Sequence, residues 1–544
     1  MNFFLKKYIK NNLILIGILI LSFFLRFYRI EDYMTFLGDE GRDVLTVYNI
    51  LHGHLTLLGP TSSVGGFFLG PIYYYFMAPF LFIFNYNPVG PAVMIAILGV
   101  ITVYLVYYIG SKFFNKTTGL IAAFIYAISP LVVFYSRSSW NPNPMPFFTI
   151  LCLLFLYRGV INSKNKFIFI SGVLYGILMQ LHYIETFLGV SIFFYIIIYN
   201  IVIFNFFKKV SGFKRIYDQI KSDIKIFAFF ICGFLVGFFP YIAFEFRHKF
   251  VNTLNIINFI FHSKDVGSSG NFFLRIYDVF VTIFGKTLFF YPPSNSAVAS
   301  YGRFNIDAIL ISLLGFLTIL YFLIIFYRSF KDRNIFFKYL LLAVWFFIPL
   351  LIFGFYKKNI YDYYFEFLYP VIVLLFSGFI YFLFNFNFSP KVNKLNISFF
   401  VNLILKIIGF LLICYIIFIS VNYSPIKNAP NRQVYQTESI ARAVLKETGN
   451  KPFNFALITG GNSDFAYRYF LTIWGHAPVT IQPPYLDPQR TTVMKQLIVV
   501  CESIPCYPLG NPLFEIAGFG RASIADKTNV SFIQIYKLIH YKSK

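Results

Sequence analysis

The chain has 544 residues, of which 58% are hydrophobic, 22% aromatic and 12% charged. Soluble domains carry about 25% charged residues, so this composition excludes an ordinary soluble enzyme, and its hydrophobicity excludes intrinsic disorder. Many apolar stretches reach the roughly 18 residues that indicate a membrane span. The sequence therefore predicts a polytopic α-helical membrane protein.

The net charge of +24 is carried mostly by short basic loops between the apolar stretches. Lysine and arginine concentrate in the cytoplasmic loops of membrane proteins, and this explains the charge without a nucleic-acid partner. Acidic residues fall in the segments between these loops, which are therefore expected to face outward. The pattern predicts membrane lipids, and no nucleic acid, as partners.

The hydrophobic pattern predicts about eleven spans in a plasma membrane. The first, from Asn12 to Ile30, follows three lysines and lacks a cleavage site, so we expect a retained helix with a cytoplasmic N-terminus. An odd number of spans places the C-terminus outside. A long cytoplasmic loop is predicted between residues 208 and 225. The predicted spans start near residues 12, 92, 119, 146, 167, 186, 226, 305, 338, 365 and 398.

Two further apolar segments are predicted not to cross the membrane. If residues 67–86 crossed, every later loop would change sides, and Gly70, Pro71 and Pro79 interrupt the segment. We therefore predict an interfacial or re-entrant helix pair in this first outer loop. A second such piece is predicted at residues 271–291, within a long outer segment.

A polar composition begins near residue 425 and predicts two domains. Residues 1–424 form the membrane domain, and residues 425–544 form a small extracytoplasmic α/β domain. Cys501 and Cys506 are close enough in sequence to pair if this tail faces an oxidising compartment. The predicted helices of the tail are Glu438–Glu447 and Asp464–Trp474, and the predicted strands are Phe453–Thr459, Gln496–Val500 and Val530–Leu538.

The first outer loop contains the most informative motif, the sequence GDEGRD at residues 38–43. Asp39 and Glu40 are adjacent carboxylates, suited to a general base and a second acid, and Arg42 is suited to clamp an anionic group. Acidic residues are scarce, at 22 in the whole chain, and the flanking glycines would let the backbone approach a ligand. The alternative is an ordinary solvated loop.

This motif after a first helix resembles the GT-C membrane glycosyltransferases, in the branch of protein O-mannosyltransferases and lipid A aminoarabinose transferases. The resemblance covers roughly residues 1–425. Supporting matches are the sequence GPIYY at residues 70–74, the Ser-Pro pair at 129–130, the Ser-Arg pair at 136–137 before a Trp-Asn-Pro, and the sequence YDYY at 361–364. The expected fold is therefore of the GT-C type, with interfacial helices in the first outer loop.

The resemblance implies a transferase that takes a sugar from a polyprenyl-phosphate donor at the outer membrane face and passes it to a hydroxyl acceptor. Asp39 matches the catalytic carboxylate of these enzymes, acting as general base in an inverting displacement. Glu40 and Arg42 match neighbours that hold the acceptor and the donor phosphate. The acceptor, whether a glycan, a lipid or a protein, and the identity of the sugar are not specified by these residues.

One departure concerns the cation beside the donor phosphate. Relatives often carry Lys-Pro-Pro where this chain has Gly70-Pro71, so the phosphate cation is expected elsewhere or is absent. The outward-facing candidates are Arg42, Arg137, Arg247, His248 and Lys264. Arg137 is preferred because an arginine fork suits phosphate, and its alternative is a helix-end arginine that reaches lipid headgroups.

A second set of candidates would hold the acceptor or the sugar. His182 and Glu185 form a pair at a tight outer turn that could bind a sugar hydroxyl or a metal, or simply satisfy the turn. Tyr363 and Tyr364 are outward-facing aromatic residues suited to stack on a sugar. Outside these turns, no two histidines stand at ligand spacing beside a carboxylate, so no metal or other cofactor is indicated, although a divalent cation is compatible with the chemistry.

Two other functional classes fit this sequence less well. A transporter or flippase of lipid-linked glycans would carry polar residues within its spans and repeat symmetry, whereas the charges here cluster at outer helix ends. A polymerase or ligase of whole glycans would still use a lipid-linked donor but would depend on arginines. Nucleotide-sugar use is disfavoured because no Gly-rich nucleotide-binding unit is present.

Overall fold

The structure is a computed structural model that describes residues 2–62, 66–207, 212–262, 271–292, 305–356, 359–388 and 395–541. Helices dominate residues 2–422, and a small sheet with its own helices follows. The helices as far as residue 202 are α1 (Asn2–Phe27), α2 (Ile30–Tyr33), α3 (Gly38–Leu51), α4 (Ile72–Ile83), α5 (Val89–Phe113), α6 (Lys116–Ile128), α7 (Pro130–Tyr135), α8 (Met145–Ile161), α9 (Asn165–Leu181) and α10 (Thr186–Val202).

The second half of the helical part is built in the same way. Short 3-10 segments precede α10 and α17, at Tyr183–Glu185 and Asp362–Leu368. The helices are α11 (Gly212–Gly237), α12 (Phe239–Arg247), α13 (Val251–His262), α14 (Phe272–Phe289), α15 (Ile306–Arg328), α16 (Arg333–Phe353), α17 (Tyr369–Asn385) and α18 (Leu395–Asn422).

Several of these helices have the length and apolar character that a membrane crossing requires. Within the described part of the chain, six segments qualify: Val89–Phe113, Tyr183–Phe206, Ile306–Lys331, Arg333–Phe353, Asp362–Asn385 and Ser398–Asn422. Helices α11 and α12, bent by 71°, would together form a seventh, and Pro240 at the start of α12 explains the break. The chain is therefore a multi-pass helical membrane protein.

The remaining predicted spans correspond to shorter apolar helices. These are Asn12–Phe27, Lys116–Ile128, Met145–Ile161 and Asn165–Leu181. Each of the eleven predicted starts is thus matched by a helix, but four of these helices are short of the roughly 20 residues that cross a bilayer untilted. The number of eleven crossings, and the side of the membrane on which each end lies, stay predictions.

The first outer loop differs from its prediction in one respect. The expected helix pair at residues 67–86 is wrong, because the structure has a single helix, α4, with Pro79 inside it. At about 1.5 Å per residue, its 12 residues extend about 18 Å, well short of a roughly 30 Å hydrocarbon core. The second predicted piece, at residues 271–291, is the single helix α14.

The predicted loop at residues 208–225 is helical in its described part, from residue 212 onward, and its cytoplasmic location stays a prediction. Helix α11 starts at Gly212, not near residue 226. Ile216, Ile220 and Ile224 recur every four residues among charged neighbours and are 50% or more exposed. This spacing makes one apolar stripe on a helix, a pattern that suits the membrane interface. The helix was not predicted because the many charged residues of this segment indicated a loop.

The C-terminal part contains a four-stranded sheet with strand order β1-β2-β4-β3. β1 and β2 run parallel, and β2, β4 and β3 pair antiparallel. The predicted strands correspond to β1, β2 and β4, whereas β3 was not predicted because its residues are mostly exposed and polar. The elements are α19 (Gln433–Thr448), β1 (Asn454–Ile458), α20 (Phe465–Ile473), β2 (Gln496–Cys501), α21 (Phe514–Phe519), β3 (Ala522–Val530) and β4 (Ile533–His540).

The sheet unit packs directly on the first outer loop through α20. The ring of Phe36, just before α3, contacts the rings of Tyr469 and Phe470 edge-on at 6.3 and 5.7 Å between centroids. All three side chains are buried in one hydrophobic cluster that also includes membrane helices. Burial of aromatic surface on this scale fixes the position of α3 relative to the C-terminal unit.

Candidate active site

The GDEGRD motif forms the first turns of helix α3. Leu37 precedes the helix in an extended conformation, and Asp39 and Glu40 lie in the first turn. The partial positive charge of a helix N-terminus favours carboxylates there. The Glu40 carboxylate accepts a hydrogen bond from the Leu37 backbone N–H at 3.0 Å, which satisfies one of the donors that a helix start leaves open.

Asp39 and Glu40 have different environments. The Asp39 side chain is 57% exposed, whereas Glu40 is 7% exposed. Burial raises the pKa of Glu40 to about 7. Asp39 is therefore the accessible carboxylate of the pair, and Glu40 mainly holds the start of the helix.

Arg42 is held between two aspartates. Its Nη1 donates to Asp39 Oδ1 at 2.9 Å, and its Nη2 donates to Asp43 Oδ1 at 2.8 Å. Asp43 is fully buried and also accepts from the Tyr74 hydroxyl at 3.2 Å. The buried Asp43 thus anchors the guanidinium, and the guanidinium fixes one oxygen of Asp39.

The turn after β1 in the C-terminal unit completes the start of α3. Asn462 Oδ1 accepts from the backbone N–H of Gly38 at 2.9 Å and from that of Ser463 at 2.9 Å. Its Nδ2 donates to Glu502 at 3.0 Å. Glu502 also accepts from Thr459 Oγ1 and the Tyr467 hydroxyl, each at 2.7 Å. This network fixes the Asn462 amide.

The two glycines of the motif permit this contact. A Cβ on Gly38 would lie 1.9 Å from Ser463 Oγ, and a Cβ on Gly41 would lie 2.3 Å from the Ala466 backbone nitrogen. Gly38 also borders a cleft, so the approach of a ligand to these glycines stays a prediction, but the close contact has a second explanation. They let α3 approach the C-terminal unit.

A cleft of about 550 Å³ opens beside Asp39. Its lining is drawn from four segments, at residues 35–40, 134–143, 361–363 and 461–463. Asp39, Glu40 and Asp362 contribute carboxylates, and none of the described lysine, arginine or histidine side chains lines it. Its volume is typical of a small-molecule site.

Aromatic side chains form much of the opposing lining. Trp140 and Tyr363 both line the cleft, with ring centroids 4.5 Å apart and edge to face. Tyr361 also lines it and stacks on Tyr363 at 5.8 Å. A cleft with carboxylates and aromatic walls suits a polyhydroxylated ligand, whose hydroxyls can donate to the carboxylates and whose apolar faces can pack on the rings.

Comparisons with known proteins agree with this architecture. Residues 69–211 match the model of the dolichyl-phosphate-mannose-protein mannosyltransferase family. ArnT from Cupriavidus metallidurans, solved bound to undecaprenyl phosphate, superposes with a TM-score of 0.57 at 10% identity, over 96% of this chain and 97% of that chain. The chain has the GT-C fold. A comparison with curated proteins gave no match.

A second structure shares the GT-C fold across most of this chain. The oligosaccharyltransferase AglB from Archaeoglobus fulgidus, solved with an inhibitory peptide and a dolichol-phosphate, has a TM-score of 0.51 at 15% identity, over 91% of this chain and 69% of that chain. The resemblance drawn from the sequence motifs is thus confirmed. The family match begins after Asp39, so it does not include the GDEGRD motif.

Arg137, the preferred phosphate cation, occupies a different place in this GT-C fold. It is 1% exposed, and its Nη1 and Nη2 donate to the backbone oxygens of Leu25 and Tyr28 at 2.5 and 2.7 Å. The guanidinium also lies 5.4 Å from the centre of the Tyr33 ring. These contacts tie the end of α1 to the segment after α7 and leave Arg137 outside the cleft lining.

Most of the other described candidates are absent from the cleft lining. Arg247 and His248 are exposed at the end of α12, and Lys264 lies outside the described residues. His182 packs its ring against Tyr363 and Tyr364, at 5.9 and 5.3 Å. Glu185 is fully buried beside Thr149. Of the predicted sugar-binding residues, Tyr363 reaches the cleft lining.

No group of three or more histidine, cysteine, aspartate or glutamate side chains in the described ranges is arranged to hold a metal ion. Asn462 and Ser463 line the cleft but were not predicted from the sequence, and neither Trp140 nor Asp362 was predicted as a site residue. A usable indication was the polar GGNSD turn directly after a predicted strand, where ligand-contacting loops of α/β units are often found.

Proposed function

We propose that this protein transfers a sugar from a polyprenyl-phosphate donor to a hydroxyl acceptor, with Asp39 as general base. The observation that carries the proposal is the exposed Asp39 carboxylate in a cleft of about 550 Å³ with aromatic walls, in a chain with the GT-C fold. The solved structures of ArnT and AglB contain undecaprenyl phosphate and dolichol-phosphate, which supports a lipid-phosphate donor here.

The reaction is a direct displacement. Asp39 takes the proton of the acceptor hydroxyl, whose oxygen attacks the anomeric carbon as the bond from that carbon to the phosphate oxygen breaks. Polyprenyl phosphate leaves, and the anomeric centre is inverted. Arg42 donates to Oδ1 of Asp39, so the guanidinium fixes the orientation of the carboxylate toward the acceptor.

The donor phosphate requires a cation near the rim of the cleft. Arg42 is the nearest predicted candidate, because it contacts Asp39 directly and its side chain is 24% exposed. We propose Arg42 as the residue that faces the phosphate. Arg247 and His248 stay predictions for the same role, and Glu40 acts by positioning α3.

We further propose that the cleft faces the outside of the plasma membrane. Cys501 and Cys506 form a disulfide in the C-terminal unit, and disulfides persist in oxidising compartments. Because α20 of this unit packs on α3, the cleft lies on the same side as the disulfide. The proposed domain boundary near residue 424 follows the last long apolar helix.

The test uses purified full-length protein in proteoliposomes with a panel of undecaprenyl-phosphate-linked sugars and a broad acceptor panel. Asp39→Asn is expected to lower transfer by about 10²-fold or more, the usual loss for a general base. Asp32→Asn is the matched control, since Asp32 lies in the same loop and pairs with Arg29. Transfer at the wild-type rate by Asp39→Asn would refute the assignment of the base.

A further inference from the structure

Helix α13 directs polar side chains toward the protein. Asn252 is 1% exposed, and its Oδ1 accepts from the Phe68 backbone N–H at 3.1 Å. Asn255 Nδ2 donates to the Gly66 backbone oxygen at 3.1 Å. The buried Glu245 carboxylate accepts from the Asn252 backbone N–H at 3.2 Å and holds the start of the helix. These bonds fix one side of α13 against the loop between α3 and α4.

The opposite side of α13, called here the apolar face, is exposed. It is formed by Phe250, Leu254, Ile257 and Phe261, which are spaced by four, three and four residues and are 43–76% exposed. This spacing places them on one side of a helix. A helix at a water-covered surface turns its apolar side to the core. Because α13 has the reverse orientation, its apolar face requires an apolar environment outside the protein.

The apolar face continues a surface that already belongs to the membrane. Phe239 and Phe246 lie two turns apart on α12 and are 64% and 71% exposed. The Phe246 ring contacts the Phe250 ring edge-on, at 5.2 Å between centroids. Helices α11 and α12 together have the character of one bent span. The apolar face of α13 therefore extends the surface that this span presents to lipid.

Helix α13 lies at the same end of the helical part as the cleft. The Phe68 backbone, which bonds to α13, also accepts from the Tyr183 hydroxyl. His182, the preceding residue, packs its ring against Tyr363 of the cleft lining. The lipid leaflet nearest to α13 is therefore the leaflet on the cleft side.

Three consecutive basic residues connect α12 to α13. Arg247, His248 and Lys249, called here the basic turn, are all exposed. Neither Arg247 nor His248 belongs to the cleft lining. Exposed cations beside an apolar helix face are complementary to the phosphates of anionic lipid headgroups.

We propose that the apolar face of α13 inserts into the leaflet on the cleft side, with the basic turn on the phosphates of anionic phospholipids. This surface is separate from the cleft, and the proposal does not depend on sugar transfer. Through Asn252 and Asn255, it sets the position of the first outer loop relative to the membrane surface.

The first experiment measures the depth of Ile257 with full-length protein in lipid nanodiscs. Cys232→Ser and Cys414→Ser remove accessible thiols, and Cys152 is buried. A fluorophore is then attached to Ile257→Cys. The nanodiscs contain phosphatidylcholine and phosphatidylglycerol, with a quenching spin label placed either near the lipid headgroup or near the end of the acyl chain.

Two matched labelling sites make the result decisive. Leu320 of α15 is 43% exposed, as is Ile257, and lies inside a span, whereas Tyr485 is 80% exposed in the C-terminal unit. The headgroup-region label should quench Ile257 about twofold more than the chain-end label does, with the reverse order at Leu320. Tyr485 should be quenched by aqueous iodide alone. Ile257 that behaves like Tyr485, or that self-quenches between two protein copies in place of lipid quenching, would overturn the proposal.

The second experiment tests the basic turn by hydrogen exchange of the α13 amides in nanodiscs. Phosphatidylglycerol added to phosphatidylcholine should slow this exchange by about threefold or more in the wild type, because anionic headgroups hold the helix start. Arg247→Gln combined with Lys249→Gln should abolish the effect. Lys446→Gln with Lys451→Gln, which removes two exposed charges from the C-terminal unit, should retain it. An undiminished effect in the basic-turn variant would refute the headgroup contact.

A lipid donor carries the same phosphate chemistry, and one further condition distinguishes the two sources. A trace of undecaprenyl phosphate in phosphatidylcholine nanodiscs adds too little charge to alter the surface potential, so α13 exchange should not change. If this trace lipid protects α13, and the protection is lost in the Arg247→Gln, Lys249→Gln variant, the basic turn binds the donor lipid and the headgroup assignment is wrong.

Discussion

Asn462 Oδ1 accepts a hydrogen bond at 2.9 Å from the backbone N–H of Gly38, 424 positions earlier in the chain. Gly38 is the first residue of α3, and its neighbour Asp39 is the proposed base. The C-terminal unit therefore holds the start of the catalytic helix as well as lining the cleft. A helix start with its N–H groups satisfied is better fixed than one that depends on water.

The first prediction concerns this contact. Asn462→Ala should lower kcat for sugar transfer about tenfold while KM for the donor changes by about twofold or less, because the Gly38 N–H loses its partner and Asp39 is less well placed. The measurement is steady-state kinetics on proteoliposomes. Asn454→Ala is the control, since Asn454 bonds to Val479 and Thr492 within the C-terminal unit.

A single and a double substitution test the hydrogen bonds of Asn462 by changing the charge of the side chains that form them. Asn462→Asp should impair transfer more than Asn462→Ala does, because it sets a second carboxylate against Glu502. Adding Glu502→Gln restores a donor–acceptor pair and should recover most of the wild-type kcat. If the double variant is no better than Asn462→Asp, the hydrogen bond does not position Asp39.

Contacts between residues close together in the sequence could be predicted for this site. Arg42 lies three residues from Asp39, one helical turn away, so their pairing follows from local geometry. The contact of Gly38 with Asn462 could not be predicted, because nothing local couples residues so far apart. The amphipathic start of α11 was missed because its charges outweighed the four-residue spacing of its isoleucines.

Arginine placement shows the same limit. From the sequence alone, an arginine at a helix end is equally compatible with a phosphate ligand, a contact with lipid headgroups or a contact that holds two segments together, because each of these satisfies the guanidinium. Only the carbonyls of Leu25 and Tyr28 around Arg137 distinguish the last of these. Span positions, by contrast, follow from hydrophobicity alone and agreed with the helices to within a few residues at most starts.

The second prediction is a pH dependence of stability from Glu40. Burial raises its pKa from 4.5 to about 7, so the folded state binds this proton more tightly than the unfolded state. The free energy of unfolding therefore falls by about 3 kcal/mol, through this group, as the pH rises from about 4.5 to about 7. Above pH 7 the loss is complete.

Glu40→Gln removes this dependence and keeps an acceptor for the Leu37 N–H. The unfolding temperature of Glu40→Gln minus that of the wild type should increase between pH 5 and pH 7.5 and then stay constant. Asp43, with a pKa raised by burial to about 6, contributes a slope of the same sign but is present in both proteins. Glu31→Gln, at an exposed residue, is the control, and a constant difference for Glu40→Gln would refute the prediction.

The third prediction concerns the contact of α3 with α20. Gly41→Ala should destabilise the protein by about 1–3 kcal/mol, because its Cβ would lie 2.3 Å from the Ala466 backbone nitrogen and neither backbone can yield. Faster proteolytic release of the C-terminal unit in detergent is the expected readout. Gly17→Ala, where a Cβ meets no atom within 4 Å, should leave proteolysis unchanged; equal behaviour of the two variants would exclude close packing at Gly41.

The fourth prediction separates the two roles of Arg137. If its contacts with Leu25 and Tyr28 are its function, both Arg137→Met and Arg137→Lys lower the unfolding temperature, since lysine cannot make the same two-pronged contact. KM for the lipid donor should then stay within about twofold of the wild type, whereas Arg42→Met should raise it about tenfold by removing the charge proposed to face the phosphate. A tenfold rise in donor KM for Arg137→Met with an unchanged unfolding temperature would instead assign Arg137 to the phosphate. In that case the cleft would have to open toward α1 when the donor binds.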